Sequence, residues 1–256
     1  MLNTVVVAAI DLNADLAEGA TLSTGDLGVL DAVTSASLAC GFHAGGRAVM
    51  RATAEAAMVR GVVLGAHVSY RDREGFGRRA MEVDPARLVA DIVEQCAVLS
   101  EAVSAAGGFV EFVKPHGALY NRMATDPDVA ASVVEGVLSA GLPVLVAQPG
   151  TTVTETAAAH GLRIVPEGFP DRGYRSDGRL ADRGEPGALI DDPDETARRA
   201  VSMVERCGIE AVDGSWVRLG AETLCIHGDA PGAAETARRV RSALQGAGIA
   251  LRPFNR

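Results

Sequence analysis

The sequence predicts an α/β protein, a single (β/α) barrel of seven or eight mostly parallel strands with the active site at the C-terminal strand ends. Short β-like runs alternate with alanine-rich helical stretches along the chain. Asp-Pro pairs mark the starts of helices, and histidines follow apolar runs where strands should end. A doubly wound open sheet is the alternative, because periodicity does not reveal whether a sheet closes.

The strands are predicted from short apolar runs bounded by polar or glycine-containing turns. The segment from 167 to 190 contains no clear strand and helix unit. A last short run near the C-terminus supplies the eighth candidate. The predicted strands are 5–12, 36–40, 62–66, 109–113, 143–147, 162–166, 223–227 and 249–251.

Helix boundaries are predicted from caps. Aspartate can accept bonds from free amide groups at a helix start, and proline supplies a first helical residue with its φ already set. Such starts occur at Asp84-Pro85, Asp126-Pro127 and Asp192-Pro193, and Pro231 is expected to begin a further helix with Asp229 as its cap. Glycines that should end helices are Gly107-Gly108, Gly141 and Gly208.

Composition restricts the function classes. The 256 residues are 48% hydrophobic, enough for one large core, and we predict one domain over 1–256. The formal net charge of -9 and the absence of a basic stripe argue against a nucleic-acid partner. The apolar run at 5–10 is too short to span a bilayer and lacks a basic lead-in, so we expect a cytoplasmic protein without a membrane partner. The cysteines at 40, 96, 207 and 225 form no Cys-x-x-Cys pair and are expected to be reduced.

The single lysine, Lys114, stands out because every other fixed basic residue is arginine. It follows an apolar run and precedes Pro115-His116-Gly117, which places it near the end of a strand. An ammonium retained in so arginine-rich a chain is a candidate for chemistry that a planar guanidinium cannot perform. The alternative is a packed lysine with an ordinary charge partner.

Four of the five histidines occur in one local context, an apolar run followed by the histidine and then a loop. They are His43, His67, His116 and His227. One histidine so placed is commonly structural, but four at strand ends of a barrel indicate a shared site. The fifth, His160, is predicted to sit at a helix C-terminus and is not a site candidate.

Several blocks of sequence, spread over almost the whole chain, match the motifs of a known protein family. They are Asp11-Leu12-Asn13 with Asp15 and Glu18, Ala39 to Gly45, Gly65-Ala66-His67, Gly75 to Arg79, Lys114 to Asn121, Asp171 to Tyr174 with Glu167 and Phe169, and Ile226 to Asp229. On these blocks the chain resembles the LamB/YcsF family, the A subunits of bacterial 5-oxoprolinases. It departs from the family pattern at Ala14, Ala17, Ser37, Gly46, Val68 and Pro170.

The resemblance implies ATP-dependent opening of the lactam 5-oxo-L-proline to L-glutamate, together with partner subunits B and C. Phosphorylation of the lactam oxygen would activate a poor electrophile and oppose ring closure. The chain contains no Gly-x-x-x-x-Gly-Lys-Ser/Thr loop, so ATP is expected as a cofactor of the complex, with the subunit that binds it left open.

The residues and the resemblance together suggest roles. Water would be activated by a carboxylate or neutral histidine from the set Asp11, Asp15, His43, His67 and His116, while Lys114 would stabilise developing negative charge. Arg78 and Arg79 are suited to grip a carboxylate or phosphate bidentately, with solvated loop arginines as the alternative. The remaining candidates for substrate binding are Asn13, Tyr120, Asn121, Arg172 and His227.

Two other functions fit the same residues. A divalent metal held by a set such as Asp11, His43, His67 and His116 would make the chain a lactam or amide hydrolase, or a deacetylase, that needs no ATP. The spacing shows no dense His-x-x-x-His signature for such a site. The other possibility is a non-catalytic substrate-binding subunit, which gives little reason to gather so many ionisable groups.

Overall fold

Seven parallel strands close into a barrel in the computed structural model, which describes residues 8–228 and 232–255. Each strand pairs with the next in the ring, and the last strand pairs with both the sixth and the first to complete it. The predicted (β/α) barrel is therefore confirmed, with seven strands in the ring. In ring order the strands are β1 (Ala9–Leu16), β2 (Ser35–Ala39), β3 (Val63–Val68), β4 (Val110–Pro115), β5 (Val144–Ala147), β6 (Arg163–Gly168) and β9 (Thr223–Ile226).

The eighth predicted strand exists but stands outside the ring. This strand, β10 (Ala250–Leu251), pairs in parallel with Ala9 and Ile10 at the start of β1. The adjoining residues of β1, from Asp11 to Ala14, pair instead with β9. One edge of β1 is thus shared by two strands, which is why the sequence could not decide between seven and eight.

Helices surround the barrel and follow the predicted caps. Asp84 accepts a hydrogen bond from the amide of Arg87, and Asp126 and Asp192 cap their helices in the same way. His160 caps the C-terminus of a helix, as predicted. The helices are α1 (Thr24–Leu30), α2 (Arg47–Arg60), α3 (Pro85–Ala105), α4 (Gly117–Met123), α5 (Pro127–Ser139), α6 (Thr152–Ala159), α7 (Pro193–Glu205) and α8 (Ala233–Gly246).

Some boundaries differ from the predictions. The first strand runs later than predicted, to Leu16, because Asp11, Asn13 and Asp15 point inward on alternate positions and belong to it. Gly208 does not end α7. It begins β7 (Gly208–Glu210), which forms an antiparallel hairpin with β8 (Trp216–Arg218) outside the barrel. The predictions for Asp229 and Pro231 fall outside the described residues.

Part of the barrel lumen is filled by apolar side chains, which form an apolar layer. In this layer Phe112 packs directly over Gly65. A Cβ added to Gly65 would lie 2.2 Å from the Phe112 ring. Valines from three strands complete this apolar layer, at Val63, Val144, Val146 and Val165. Polar groups also occur in the half of the barrel nearer the N-terminal strand ends, where Asp11 accepts hydrogen bonds from Ser35 and Thr223 at the starts of β2 and β9.

Two further features bear on the sequence predictions. All of the cysteines are free thiols, and Cys207 alone among them is exposed. None of the helices in the described part of the chain combines the length and apolar character needed to cross a bilayer.

Candidate active site

A cavity of about 490 Å³ opens at the C-terminal ends of the barrel strands. This volume lies within the range of small-molecule sites. Its floor carries ionisable groups and one wall carries arginines from the loop after β6. The floor residues are Asp15, Glu18, His67, Lys114, His116 and His227.

Lys114 lies at the centre of the floor, on β4, and is 2% exposed. Its Nζ lies 2.9 Å from Asp15 Oδ1 and 2.7 Å from Glu167 Oε1. The same ammonium donates to Asn13 Oδ1 at 3.0 Å and contacts Cys225 Sγ at 3.0 Å. All three of its protons are therefore directed at protein groups, so the main effect of Lys114 is to hold carboxylates in place.

Charge coupling fixes the protonation of this pair. Burial alone would lower the pKa of Lys114, but Asp15 and Glu167 raise it well above its ordinary value. Burial alone would raise the pKa of Asp15, but His67 and the Lys114 ammonium beside it hold that pKa well below the ordinary range. Asp15 is thus a carboxylate and Lys114 an ammonium at neutral pH.

Three imidazoles meet beside Asp15. The rings of His43 and His116 stack with centroids 4.0 Å apart, and the ring of His67 lies edge-on to both. Nε2 of His67 lies 2.9 Å from Nδ1 of His116 and 3.4 Å from Asp15 Oδ2. Glu18 completes the group, with its Oε1 3.3 Å from His43 Nε2 and 3.7 Å from His116 Nδ1. We call Glu18, His43, His67 and His116 the imidazole cluster.

Burial keeps these histidines neutral. It lowers the pKa of His43 and of His116 to about 4, and it lowers the pKa of His67 well below the ordinary value. Neighbouring positive charges lower all three further, although Asp15 opposes the effect. At neutral pH each ring therefore offers a lone pair, which suits it to accept a proton or to bind a metal.

The polar wall of the cavity comes largely from the segment between β6 and α7. Arg78 reaches the cavity from the loop after β3 and lies 4.9 Å over the ring of Phe76. Arg172 also reaches it, yet its guanidinium donates to the carbonyls of Ala181 and Ala188 and so braces the loop. The other arginines at this wall are Arg122, Arg175, Arg179 and Arg183.

Tyr120 and Asn121 lie in the middle of α4, the short helix that follows β4. The Tyr120 hydroxyl is buried and donates to Glu167 Oε2 at 2.8 Å. Asn121 is exposed and lines the cavity. Of these two predicted substrate contacts, Asn121 has its side chain open to a ligand, whereas Tyr120 anchors Glu167.

His227 closes the opposite side of the floor. Its Nδ1 lies 2.6 Å from Asp171 Oδ2, and its ring stacks on Phe169 with centroids 5.7 Å apart. Burial alone would lower the pKa of His227, but Asp171 raises it above its ordinary value. His227 is therefore separate from the imidazole cluster and carries positive charge over a wider pH range.

Four of the predicted residues do not line the cavity, and one of them, His43, lies buried in the imidazole cluster. Asp11 lies four positions before Asp15, about 13 Å earlier along β1 at about 3.3 Å per residue, and accepts bonds from Thr34, Ser35 and Thr223. Asn13 lies between these layers and bonds to Glu167 and Lys114. Arg79 turns away and pairs with Asp72.

Sequence reasoning missed three residues of the site. Glu18 enters the imidazole cluster, Glu167 binds Lys114 and Tyr120, and Cys225 contacts the Lys114 ammonium. Glu18 and Glu167 lay inside the blocks that carry the family resemblance, and Cys225 directly precedes the last of them, so their positions were visible. Their roles were not, because those roles depend on partners from other strands.

Together these features define a (β/α)-barrel protein with a histidine-rich, carboxylate-rich cavity at the C-terminal strand ends. The LamB/YcsF family model matches residues 10–256. The chain belongs to the LamB/YcsF family.

Individual relatives agree over almost the whole chain. The A subunit of 5-oxoprolinase from Streptomyces griseus is 51% identical over 249 residues, which cover 96% of this chain and 99% of that protein. The protein of the same name from Mycobacterium avium is 48% identical, with coverage of 97% and 100%. Among solved structures, a lactam utilization protein from Thermus thermophilus is 42% identical with a TM-score of 0.89, and the match covers 95% of this chain and 99% of that one.

Proposed function

We propose that this chain is the A subunit of an ATP-dependent 5-oxoprolinase, which opens 5-oxo-L-proline to L-glutamate together with partner subunits B and C. The observation that carries the proposal is the imidazole cluster beside the Lys114 and Asp15 pair, at the floor of a cavity sized for a small molecule. The names of the relatives supply the substrate class.

The cavity suits a small lactam that carries a carboxylate. Arg78 on the wall is placed to bind a carboxylate or phosphate group through paired N–H donors. Asn121 offers an amide that can pair with both the N–H and the C=O of a lactam. With the substrate carboxylate toward the arginines, the lactam carbonyl would face the floor of the cavity.

The floor supplies the means to activate water. Neutral imidazoles of His67 and His116 line the cavity, and Asp15 lies 3.4 Å from His67 Nε2. Activation of water by such groups contributes about 10²- to 10⁴-fold to a hydrolytic rate. In this proposal Lys114 is a positioning residue, because it keeps Asp15 ionised and oriented toward His67.

ATP supplies what the barrel lacks, an activated carbonyl. Transfer of the γ-phosphoryl group to the lactam oxygen would make the carbon electrophilic. Attack of water and cleavage of the ring C–N bond then give glutamate, with ADP and phosphate as the other products. The sequence has no Gly-x-x-x-x-Gly-Lys-Ser/Thr loop, so we assign the nucleotide to the assembled complex.

The test is release of glutamate from 5-oxoproline by the purified chain, alone and with its candidate partner subunits, each with and without ATP. We expect release only when partners and ATP are both present. An Asp15→Asn chain should assemble with the partners but give little glutamate, whereas Glu55→Gln, a change in an exposed ion pair with Arg51 away from the cavity, should retain activity. Full activity with Asp15→Asn would contradict the proposed roles.

Two other outcomes would replace the proposal. Release by the chain alone without ATP would identify a self-sufficient cyclic-amide hydrolase. Unchanged turnover at saturating substrate in Asp15→Asn and His116→Gln chains, with a raised KM, would identify a substrate-binding subunit without catalytic groups.

A further inference from the structure

The imidazole cluster has an arrangement that a hydrogen-bonded core would not require. Its four ligand atoms, one from each of Glu18, His43, His67 and His116, all lie within 4.8 Å of one another. The three rings are almost fully buried, and Glu18 lies at the edge of the cavity. Residues from four separate strand ends therefore direct donor atoms at a single point.

The nitrogens on the far sides of the rings fix the tautomers. Nδ1 of His67 lies 2.9 Å from the carbonyl of Lys114, and Nε2 of His116 lies 2.9 Å from the carbonyl of Phe76. Carbonyl oxygens only accept, so these nitrogens carry protons. Nδ1 of His43 lies 2.9 Å from Ser69 Oγ, whose own proton goes to the carbonyl of Tyr70. Each ring thus donates outward.

The inward nitrogens of the neutral rings consequently present lone pairs to one another. Nε2 of His67 and Nδ1 of His116 face each other at 2.9 Å, close to a carboxylate oxygen of Glu18. Facing lone pairs repel, so the arrangement calls for a cation between them. Histidines that bind metals characteristically donate their other N–H to a backbone carbonyl or similar acceptor, as all three do here.

We propose that Glu18 Oε1, His43 Nε2, His67 Nε2 and His116 Nδ1 bind one divalent transition metal ion, for which Zn²⁺ is the probe. Zn–N distances of about 2.0 to 2.1 Å in a tetrahedron place ligand atoms about 3.3 Å apart. Three of the six separations within the cluster, at 2.9, 3.3 and 3.7 Å, surround that value, and none exceeds 4.8 Å. Three imidazoles and one carboxylate are a donor set that suits zinc and related ions.

The ion would lie at the cavity floor, since Glu18, His67 and His116 line the cavity there. There it would lower the pKa of a bound water and polarise a carbonyl oxygen. This role rests on the proposed function and specifies how the imidazole cluster activates water. Binding of the ion itself does not depend on which substrate the protein uses.

The experiment uses the full chain, stripped with a chelator and dialysed, and titrated with Zn²⁺ by calorimetry. We expect one equivalent to bind, and Co²⁺ in its place to give visible absorption bands of a site with nitrogen and oxygen ligands. His67→Gln, His116→Gln and Glu18→Gln should each weaken binding by more than the roughly 10- to 100-fold that loss of an outer partner costs. Ser69→Ala, which removes only the partner behind His43, should fall within that range.

His160→Gln is the matched control, because this histidine is exposed at the end of α6 and should leave binding unchanged. Circular dichroism of each stripped variant establishes that it is folded. If a histidine variant does not fold, Glu18→Gln still tests the site, because it leaves the packing of the three rings unchanged. Failure of the folded parent chain to bind Zn²⁺ or Co²⁺ would overturn the proposal. Retention of the ion by the cluster variants would also overturn it. Neither result would alter the outcome of the assay of glutamate release.

Discussion

The ammonium of Lys114 lies 2.7 Å from the carboxylate of Glu167, across the lumen of the barrel. Lys114 is on β4 and Glu167 is on β6, so the pair joins strands that β5 separates in the ring. Asp15 on β1 binds the same ammonium. One buried cation therefore links three strands of the ring and stabilises both the barrel and the floor of the cavity.

Replacement of this cation should be costly. We expect Lys114→Met to lower the free energy of unfolding by about 3 to 5 kcal/mol, because two carboxylates would remain buried without their charge partner. Urea denaturation at neutral pH measures the loss. Arg51→Met, which removes an exposed partner of Glu55, should change stability by no more than about 1 kcal/mol. A similar small loss for both variants would show that the buried pair contributes little.

The packing of Gly77 predicts a selective effect on the imidazole cluster. An added Cβ would lie 2.9 Å from both His116 Cδ2 and His43 Cβ. We expect Gly77→Ala to displace these rings and to reduce glutamate release by the assembled complex. Gly61→Ala is matched, because Gly61 has φ 68 against 67 for Gly77 and nothing within 4 Å of its added Cβ. Both should lose about 1 to 2 kcal/mol for the left-handed backbone, and only the first should lose turnover.

The pair of His227 and Asp171 predicts a measurable pKa. Burial alone would lower the pKa of His227, and the carboxylate of Asp171 at 2.6 Å raises it above 6.5. We expect an NMR titration of the ring protons to show this raised value, and Asp171→Asn to bring it below 6.5. Asp177→Asn, in the same loop but paired with Arg179, should leave the His227 titration in place. An unchanged value in Asp171→Asn would exclude this origin of the shift.

Asp11 predicts a pH dependence of stability. Burial raises its pKa from 3.8 to about 6, against the effect of hydrogen bonds from Thr223, Thr34 and Ser35. The folded state binds the proton more tightly, so this contribution is complete below pH 3.8 and is lost as the pH rises through 6. Relative to Asp11→Asn, the parent chain should therefore lose about 3 kcal/mol between about pH 4 and pH 7, at about 1.4 kcal/mol per pH unit.

Chemical denaturation of both proteins across that pH range measures the difference. A difference that is constant across the range would mean that Asp11 keeps an ordinary pKa. Turnover supplies a second comparison, because Asp11 does not line the cavity and Asp15 does. We expect Asp11→Asn to retain more activity in the assembled complex than Asp15→Asn.

Replacement of Arg78 or of the adjacent Arg79 should have different effects on substrate binding. Arg78 lines the cavity, whereas Arg79 pairs with Asp72 outside it. We expect Arg78→Met to raise the KM for 5-oxoproline by about tenfold or more, the value of one charge-assisted hydrogen bond of about 1.5 kcal/mol or greater. Arg79→Met should leave KM close to that of the parent. Steady-state kinetics of the assembled complex measures both KM values. An equal rise in KM for the two variants would contradict the assignment of Arg78 to substrate binding.

The fold could be predicted because strand and helix signals were local. Apolar runs such as 62–66 lie close to the observed strands, and the capping aspartates Asp84, Asp126 and Asp192 marked helix starts. Closure is not local. It depends on β9 pairing with β1, between residues more than two hundred positions apart. The hairpin of β7 and β8 escaped prediction because its strands are only three residues long.

Only part of the candidate site could be predicted, because the position of a side chain along the barrel axis also depends on pairing between distant strands. Alternation shows that Asp11, Asn13 and Asp15 share the inner face of β1, but not how deep each lies. Depth follows from register, since Asp11 pairs with Thr223 while Asp15 lies above the last pair of β1 with β9. His43, His67 and His116 lie close together because each is at or just after the C-terminal end of one of three neighbouring strands. Arg79 and Arg78 looked alike in sequence, and only Asp72 distinguishes them.

Closure of the barrel by β9 also sets when the site can form during synthesis. Cys225, which contacts the Lys114 ammonium, lies 111 residues after that lysine and 210 residues after Asp15. A growing chain can thus place β1 to β6 and the imidazole cluster long before the last strand emerges. In the folded structure β9 closes the side of the lumen between β6 and β1, beside the buried charges of Asp15 and Lys114. The site is therefore complete only when the C-terminal strand of the ring has paired with both of its neighbours, so an intact site requires an intact ring.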